Sequence, residues 1–154
     1  METQRVGDPG QWGVENDKPR VLVVDDNREL LATTFDILNQ AGCETDLADG
    51  GFQAIARCQE KTYDVVVIDI MMSGLNGVET LRAIRSQHPH TRFIVMTGYS
   101  ASKLVDDARS EGILDLYIKP VNPARLVSKI KEVHPTRFEV PVVRTKRPLS
   151  YNRI

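Results

Sequence analysis

The chain has 154 residues, 41% of them hydrophobic and 27% charged, and its formal net charge is -1. This length favours a single domain that folds without disulfides or a structural metal, and the balanced charge argues against a dedicated nucleic-acid binder. No apolar run approaches the roughly 18 residues of a membrane span, and the polar N-terminus does not resemble a secretory signal, so we expect a cytoplasmic protein without a membrane segment.

Composition divides the chain into three regions. Residues 1–19 are polar and contain scattered Gly and Pro, which predicts a flexible leader. Residues 20–133 hold the aliphatic runs and form the predicted domain. Residues 134–154 are basic and contain three prolines, which predicts an irregular tail. The tail is short and lacks a nucleic-acid-binding motif, so we expect it to be solvated or ordered by a partner, without direct binding to DNA.

Five short aliphatic segments alternate with amphipathic segments in the predicted domain. Most of the aliphatic segments are continuous runs of Val, Ile, Leu and Phe, which are typical of parallel strands buried on both faces. The predicted strands are Arg20–Val24, Glu44–Ala48, Val65–Ile68, Arg92–Met96 and Leu114–Ile118.

The segments that follow these strands have helical periodicity. In the first, Leu31, Phe35 and Leu38 recur at helical spacing, and Gly42 is the predicted left-handed stop. The last predicted helix begins after the N-cap Asn122, with a proline in its first position. Five βα units in succession predict an α/β protein of the flavodoxin-like, doubly wound type, with five parallel strands in the order 2-1-3-4-5.

Polar residues collect at the carboxyl ends of the predicted strands. Asp25 and Asp26 directly follow the first strand, Asp69 ends the third, Thr97 ends the fourth and Lys119 ends the fifth. Ligands of open α/β sheets bind outside the carboxyl ends of the strands, where the strand order reverses. The first and third strands are neighbours at that point, so we expect the three carboxylates to converge there.

These five side chains favour a Mg²⁺-dependent phosphoryl-acceptor site. Clustered carboxylates repel one another unless a cation neutralises them, and hard carboxylate oxygens suit Mg²⁺. Thr97 and Lys119 supply a hydroxyl and an ammonium group, which stabilise phosphoryl oxygens. A carboxylate such as Asp69 can also act as a nucleophile and form an acyl phosphate. Single residues have simpler explanations, since Asp26 also fits a helix N-cap, but the ordered set of five is a specific signal.

Four motifs resemble the receiver domain of two-component response regulators. They are Val21-Leu22-Val23-Val24-Asp25-Asp26-Asn27, Val65-Val66-Val67-Ile68-Asp69-Ile70-Met71-Met72, Val95-Met96-Thr97-Gly98 and Tyr117-Ile118-Lys119-Pro120. The resemblance covers residues 20–133, with the motifs in register. It implies a phospho-accepting signalling switch and not an enzyme, with a sensor histidine kinase or a histidine phosphotransfer protein as the donor.

The resemblance also implies a role for each site residue. Asp69 would be the phospho-acceptor, Asp26 would bind Mg²⁺ directly, and Asp25 would help through water. Met71 would offer its backbone carbonyl to the metal and its N–H to the phosphoryl group. Thr97 and Lys119 would hold phosphoryl oxygens, and the Lys119-Pro120 peptide bond would be cis.

The chain departs from the family pattern at several positions near the site. Ser73 stands where receivers usually have proline. The switch aromatic usually lies three residues before the lysine, where this chain has Leu116, and Tyr117 is one residue later, on the opposite face of a regular strand. Two positions that tune phosphoryl lifetime hold Met71 and Tyr99, neither of which readily positions a hydrolytic water, so we expect slow self-dephosphorylation.

The sequence thus predicts a stand-alone receiver without a covalently attached output domain. Its output would be a contact with an unidentified target protein, a phosphorelay step or a phosphorylation-dependent homodimer. The helix in residues 27–41 is the expected kinase-docking surface, and residues 101–118 with the last helix are expected to change on phosphorylation. The alternatives are a phosphorylation-independent interaction module with a receiver fold, and a hydrolase that uses Asp69 as a turnover nucleophile.

Overall fold

Strands and helices alternate along the whole described part of the chain, which in this computed structural model comprises residues 18–98 and 102–134. In chain order the elements are β1 Arg20–Val24, α1 Arg28–Gln40, β2 Glu44–Ala48, α2 Gly51–Glu60, β3 Val65–Asp69, α3 Gly77–Gln87, β4 Arg92–Thr97, α4 Lys103–Arg109, β5 Asp115–Ile118 and α5 Pro123–Glu132. The predicted leader, the predicted tail beyond His134 and Tyr99 lie outside the described residues. No helix in the described ranges is long and apolar enough to cross a membrane.

The strands form one parallel sheet in the order β2-β1-β3-β4-β5. This order confirms the predicted 2-1-3-4-5 arrangement and the flavodoxin-like fold. The strand β3 is buried along its whole length, because it lies in the middle of the sheet with helices on both faces. Its register with β1 pairs Val24 with Ile68, so these two strands end side by side.

Alternate residues of the strands build two hydrophobic clusters, one on each face of the sheet. On one face, Leu22 and Val66 pack in a cluster with residues of α2, α3 and α4. On the other face, Val21 and Val67 pack in a cluster with residues of α1 and α5. The doubly wound architecture therefore follows from the continuous apolar runs, which supply side chains to both faces.

Four of the five helices in the described residues begin at a polar residue whose side chain caps the first turn. Asn27 caps α1 by accepting hydrogen bonds from Glu29 N and Leu30 N, so the interpretation of Asp26 as the N-cap is wrong. Asn122 caps α5 with proline in the first turn, as predicted. Gly42 follows α1 with a φ of 94°, which confirms the left-handed stop.

Three strand boundaries differ from the predicted ones by one residue. The strand β3 extends to Asp69 and β4 extends to Thr97, whereas β5 begins at Asp115 and not at Leu114. Two of the expected site residues are therefore the last residues of strands, where the hydrogen bonds of the sheet fix their backbone.

Gly77, the first residue of α3, packs directly on the backbone at the end of β3. A Cβ at this position would lie 2.5 Å from the carbonyl oxygen of Asp69 and 2.7 Å from the Cα of Ile70. Backbone atoms cannot rotate aside, so we expect Gly77→Ala to lower the free energy of unfolding by about 2 kcal/mol, measured by urea denaturation. Gly98→Ala is the matched control, since its Cβ would meet nothing within 4 Å. An equal loss in both variants would contradict this steric explanation.

Candidate functional site

Three carboxylates converge at the carboxyl ends of the two central strands. Asp25 and Asp26 follow β1, and Asp69 is the last residue of the neighbouring strand β3. One carboxylate oxygen from each residue lies within 4.8 Å of the others. The structure thus brings together the three carboxylates that the sequence singled out.

Lys119 connects these carboxylates from the far edge of the sheet. It directly follows β5, which is separated from β3 by β4. Its Nζ lies 2.8 Å from Oδ2 of Asp25 and 2.9 Å from Oδ2 of Asp69. The Lys119-Pro120 peptide bond is cis, as predicted. The ammonium group therefore bridges two of the three carboxylates.

The site combines two buried carboxylates with one exposed carboxylate. Asp25 and Asp69 are 1% and 5% exposed, whereas Asp26 faces solvent. Burial raises the pKa of Asp69, Lys119 opposes this effect, and the charge of Asp25 adds to the increase. Burial lowers the pKa of the Lys119 ammonium, but hydrogen bonds and charge from Asp25 and Asp69 outweigh it and leave that pKa above its ordinary value. The lysine is therefore charged, and the ionised carboxylate of Asp69 is held at an energetic cost.

Backbone and hydroxyl donors from the loops orient each carboxylate. The N–H of Asn27 donates to Asp25 at 3.0 Å, and the N–H of Met71 donates to Asp69 at 3.2 Å. Asp26 accepts from the N–H of Ser73 at 3.2 Å and from its hydroxyl at 3.4 Å. The sequence predicts no role for Ser73, although the absence of proline at this position signals an additional N–H donor.

Thr97 and Met71 flank Asp69 on the adjacent segments. Thr97 is fully buried, and its carbonyl oxygen accepts a hydrogen bond of 2.8 Å from the N–H of Lys119. The side chain of Met71 is 51% exposed at the mouth of the site. The use of the Met71 carbonyl as a metal ligand stays a prediction.

The donor set fits Mg²⁺. Three hard carboxylate oxygens share a small volume, and the single charge of Lys119 does not balance three negative charges. The exposed position of Asp26 leaves solvent access on that side, which suits an ion that keeps several waters. Asp25, Asp26 and Asp69 are the residues that would hold the ion.

The response regulator receiver domain family matches residues 21–131. The chain belongs to this family. Receiver domains are phospho-accepting signalling switches that interact with histidine kinases and phosphotransfer proteins, so the family and the general role that the motifs predicted are confirmed.

Individual relatives support the same assignment. The chain is 34% identical over 127 residues to the transcriptional regulatory protein ZraR of Klebsiella oxytoca, covering 81% of this chain and 29% of that protein. It is 31% identical over 115 residues to the chemotaxis protein CheY of Thermotoga maritima, covering 74% and 96%. A CheY-like receiver structure from Methanospirillum hungatei JF-1 superposes with a TM-score of 0.71 at 30% identity, covering 75% and 92%. The chain thus spans less than a third of ZraR and nearly all of CheY.

In this receiver the aromatic residue of β5 faces away from the usual switch position. Tyr117 pairs with Met96 in a regular register and packs in the cluster beside α5, where the guanidinium of Arg125 lies 4.7 Å from its ring centroid. Leu116 packs against the opposite cluster, beside α2, α3 and α4. The expected opposite orientation of Tyr117 is confirmed, and an aliphatic residue holds the switch position.

Replacement of Asp69 by Asn should stabilise the metal-free receiver by about 1 kcal/mol at neutral pH. The folded-state pKa of Asp69 is raised, so its ionised form is less favourable in the folded than in the unfolded chain. This cost is absent below the unfolded-state carboxyl pKa of about 3.9 and grows as the pH rises through the folded-state value. Lys119 keeps its ion pair with Asp25 in the variant.

Urea denaturation in EDTA at several pH values measures this difference. The stability gap between the variant and the wild-type protein should narrow as the pH falls. Asp36→Asn is the control, because Asp36 is an exposed residue of α1. A destabilised Asp69→Asn protein at neutral pH would contradict the assignment of an energetic cost to the ionised carboxylate of Asp69.

Proposed function

We propose that this receiver accepts a phosphoryl group on Asp69 in a Mg²⁺-dependent reaction with a phosphohistidine of a sensor kinase or phosphotransfer protein. The observation that carries the proposal is the convergence of Asp25, Asp26 and Asp69, together with the contacts of the Lys119 ammonium with two of them. Family membership alone supports a receiver fold. The retained set of carboxylates and lysine supports a receiver that is active as a phospho-acceptor.

The transfer is an in-line displacement at phosphorus. A carboxylate oxygen of Asp69 forms the new P–O bond while the P–N bond to the donor imidazole breaks, and the leaving nitrogen keeps the electron pair of that bond. Mg²⁺, held by the three carboxylates and the Met71 carbonyl, would offset the negative charge on the phosphoryl oxygens. The amide of Met71, which already donates to Asp69, is placed to donate to a phosphoryl oxygen.

Lys119 and Thr97 couple the new phosphoryl group to the rest of the domain. Phosphorylation converts the charged carboxylate of Asp69 into an acyl phosphate, which weakens its ion pair with Lys119 and leaves the ammonium group to follow the phosphoryl oxygens. The hydroxyl of Thr97 binds another of these oxygens. Both movements bias a two-state equilibrium of the segments after β4 and β5.

The unit that performs this reaction is proposed to comprise residues 20–133. The phosphoryl donor docks beside α1, and the output is a protein–protein contact, a relay step or a phosphorylation-dependent homodimer. A hydrolase is the less favoured alternative, because Ile70 and Met71 follow Asp69 and supply no second carboxyl group for turnover.

Incubation with a small-molecule phosphodonor and Mg²⁺, followed by intact-mass measurement, tests the proposal. We expect one phosphoryl adduct in the wild-type protein and in Asp36→Asn, and loss of that adduct in Asp69→Asn or in the presence of EDTA. Continuous release of phosphate with no adduct would favour the hydrolase. The absence of both adduct and release would favour a phosphorylation-independent interaction module.

The aspartyl phosphate should persist for minutes or longer after removal of the donor. Met71 lies beside the acceptor with an exposed thioether side chain, which is a poor group for orienting an attacking water. Decay of the adduct, followed by intact mass in Mg²⁺ buffer, measures this lifetime. Met71→Asn should shorten it, since an amide side chain can hydrogen-bond water, whereas a wild-type lifetime of only seconds would contradict the prediction.

A further inference from the structure

Ser73 links the two loops that supply the carboxylates. It lies between β3 and α3, and its N–H and its hydroxyl both reach Oδ2 of Asp26, which is 47 positions earlier in the chain. Asp25 and Asp69 are held differently, since each has a bond to Lys119 and a backbone donor from its own loop. Ser73 therefore orients the one carboxylate of the three that Lys119 does not contact.

Asp26 needs such donors because of its position. It is exposed, and the carboxylates of Asp25 and Asp69 lie close enough to repel it. Within the described ranges, no ion pair holds the carboxylate of Asp26 in place. Rotation of this side chain toward water would therefore relieve the repulsion from Asp25 and Asp69. Two donors on a single oxygen oppose that rotation and leave the other oxygen available to a cation.

We propose that Ser73 is a positioning residue for Mg²⁺ binding, acting through the carboxylate of Asp26. This inference rests on the proposed function, since it assumes that the cluster binds Mg²⁺. A proline at this position has neither an N–H nor a hydroxyl and would remove both hydrogen bonds, whereas alanine would remove only the longer one.

A titration of each unphosphorylated variant with MgCl₂, followed in its amide NMR spectrum, measures the dissociation constant for Mg²⁺. Ser73→Pro should raise the dissociation constant roughly tenfold, the typical cost of losing a group that orients a ligand. Ser73→Ala should raise the dissociation constant about twofold, because the N–H remains. Ser73→Thr keeps both donors and should have the wild-type dissociation constant. Ser86→Ala is the matched control, since the Ser86 hydroxyl bonds to a carbonyl oxygen within α3.

The same titration in an Asp26→Ala background shows whether Ser73 acts through Asp26. The effect of Ser73→Pro on Mg²⁺ affinity should disappear there, and an undiminished effect would overturn the inference. Unchanged affinity in Ser73→Pro and Ser73→Ala, with normal binding by the wild-type protein, would overturn the positioning role and leave the proposed function intact. No Mg²⁺ binding by the wild-type protein would overturn both.

Discussion

The ion pairs of Lys119 with Asp25 and Asp69 are the interaction on which the rest of the site depends. Two buried carboxylates side by side would be unfavourable without a nearby positive charge. The lysine comes from the end of β5, two strands away from β3, so the order of the sheet is what places it there. The same ammonium contacts both carboxylates. A change in the charge of Asp69 therefore alters the electrostatic interactions of Lys119, which follows β5, and of Asp25, which lies in the loop after β1.

Much of the fold and of the site could be predicted because both follow from the strands. Continuous apolar runs in five βα units allow few strand orders. A polar residue directly after such a run must lie at the carboxyl end of its strand. The loops carry no such periodicity. The contact between Ser73 and Asp26 joins two loops across 47 positions, and the choice of Asn27 over Asp26 as the cap depends on local backbone angles. Neither could be derived from spacing.

The position of Tyr117 bears on the proposed output of this receiver. Its ring is packed between the sheet and α5 beneath Arg125, and burial raises the pKa of its hydroxyl to about 12, so it remains a neutral part of the core. On the other face, Leu116 contacts a cluster that includes Val105 and Ala108 of α4. In the proposed coupling of Thr97 to α4, the response would pass through aliphatic packing and not through a hydroxyl that changes hydrogen-bond partners.

The three carboxylates differ in burial, so the site is exposed to solvent on one side. Asp25 and Asp69 lie deep beside Lys119, whereas Asp26 and the side chain of Met71 face solvent. In the proposed phosphotransfer, a donor would approach from the side of Asp26 and Met71, which are the solvent-exposed residues of the site. Asp26 and Met71, two of the proposed metal ligands, thus belong to the pair of loops that Ser73 joins, and Met71 is also the residue proposed to set the lifetime of the product. Because both of these hydrogen bonds of Ser73 end on the exposed Asp26, we expect a substitution of Ser73 to act on these loops and not on the buried pair of Asp25 and Asp69.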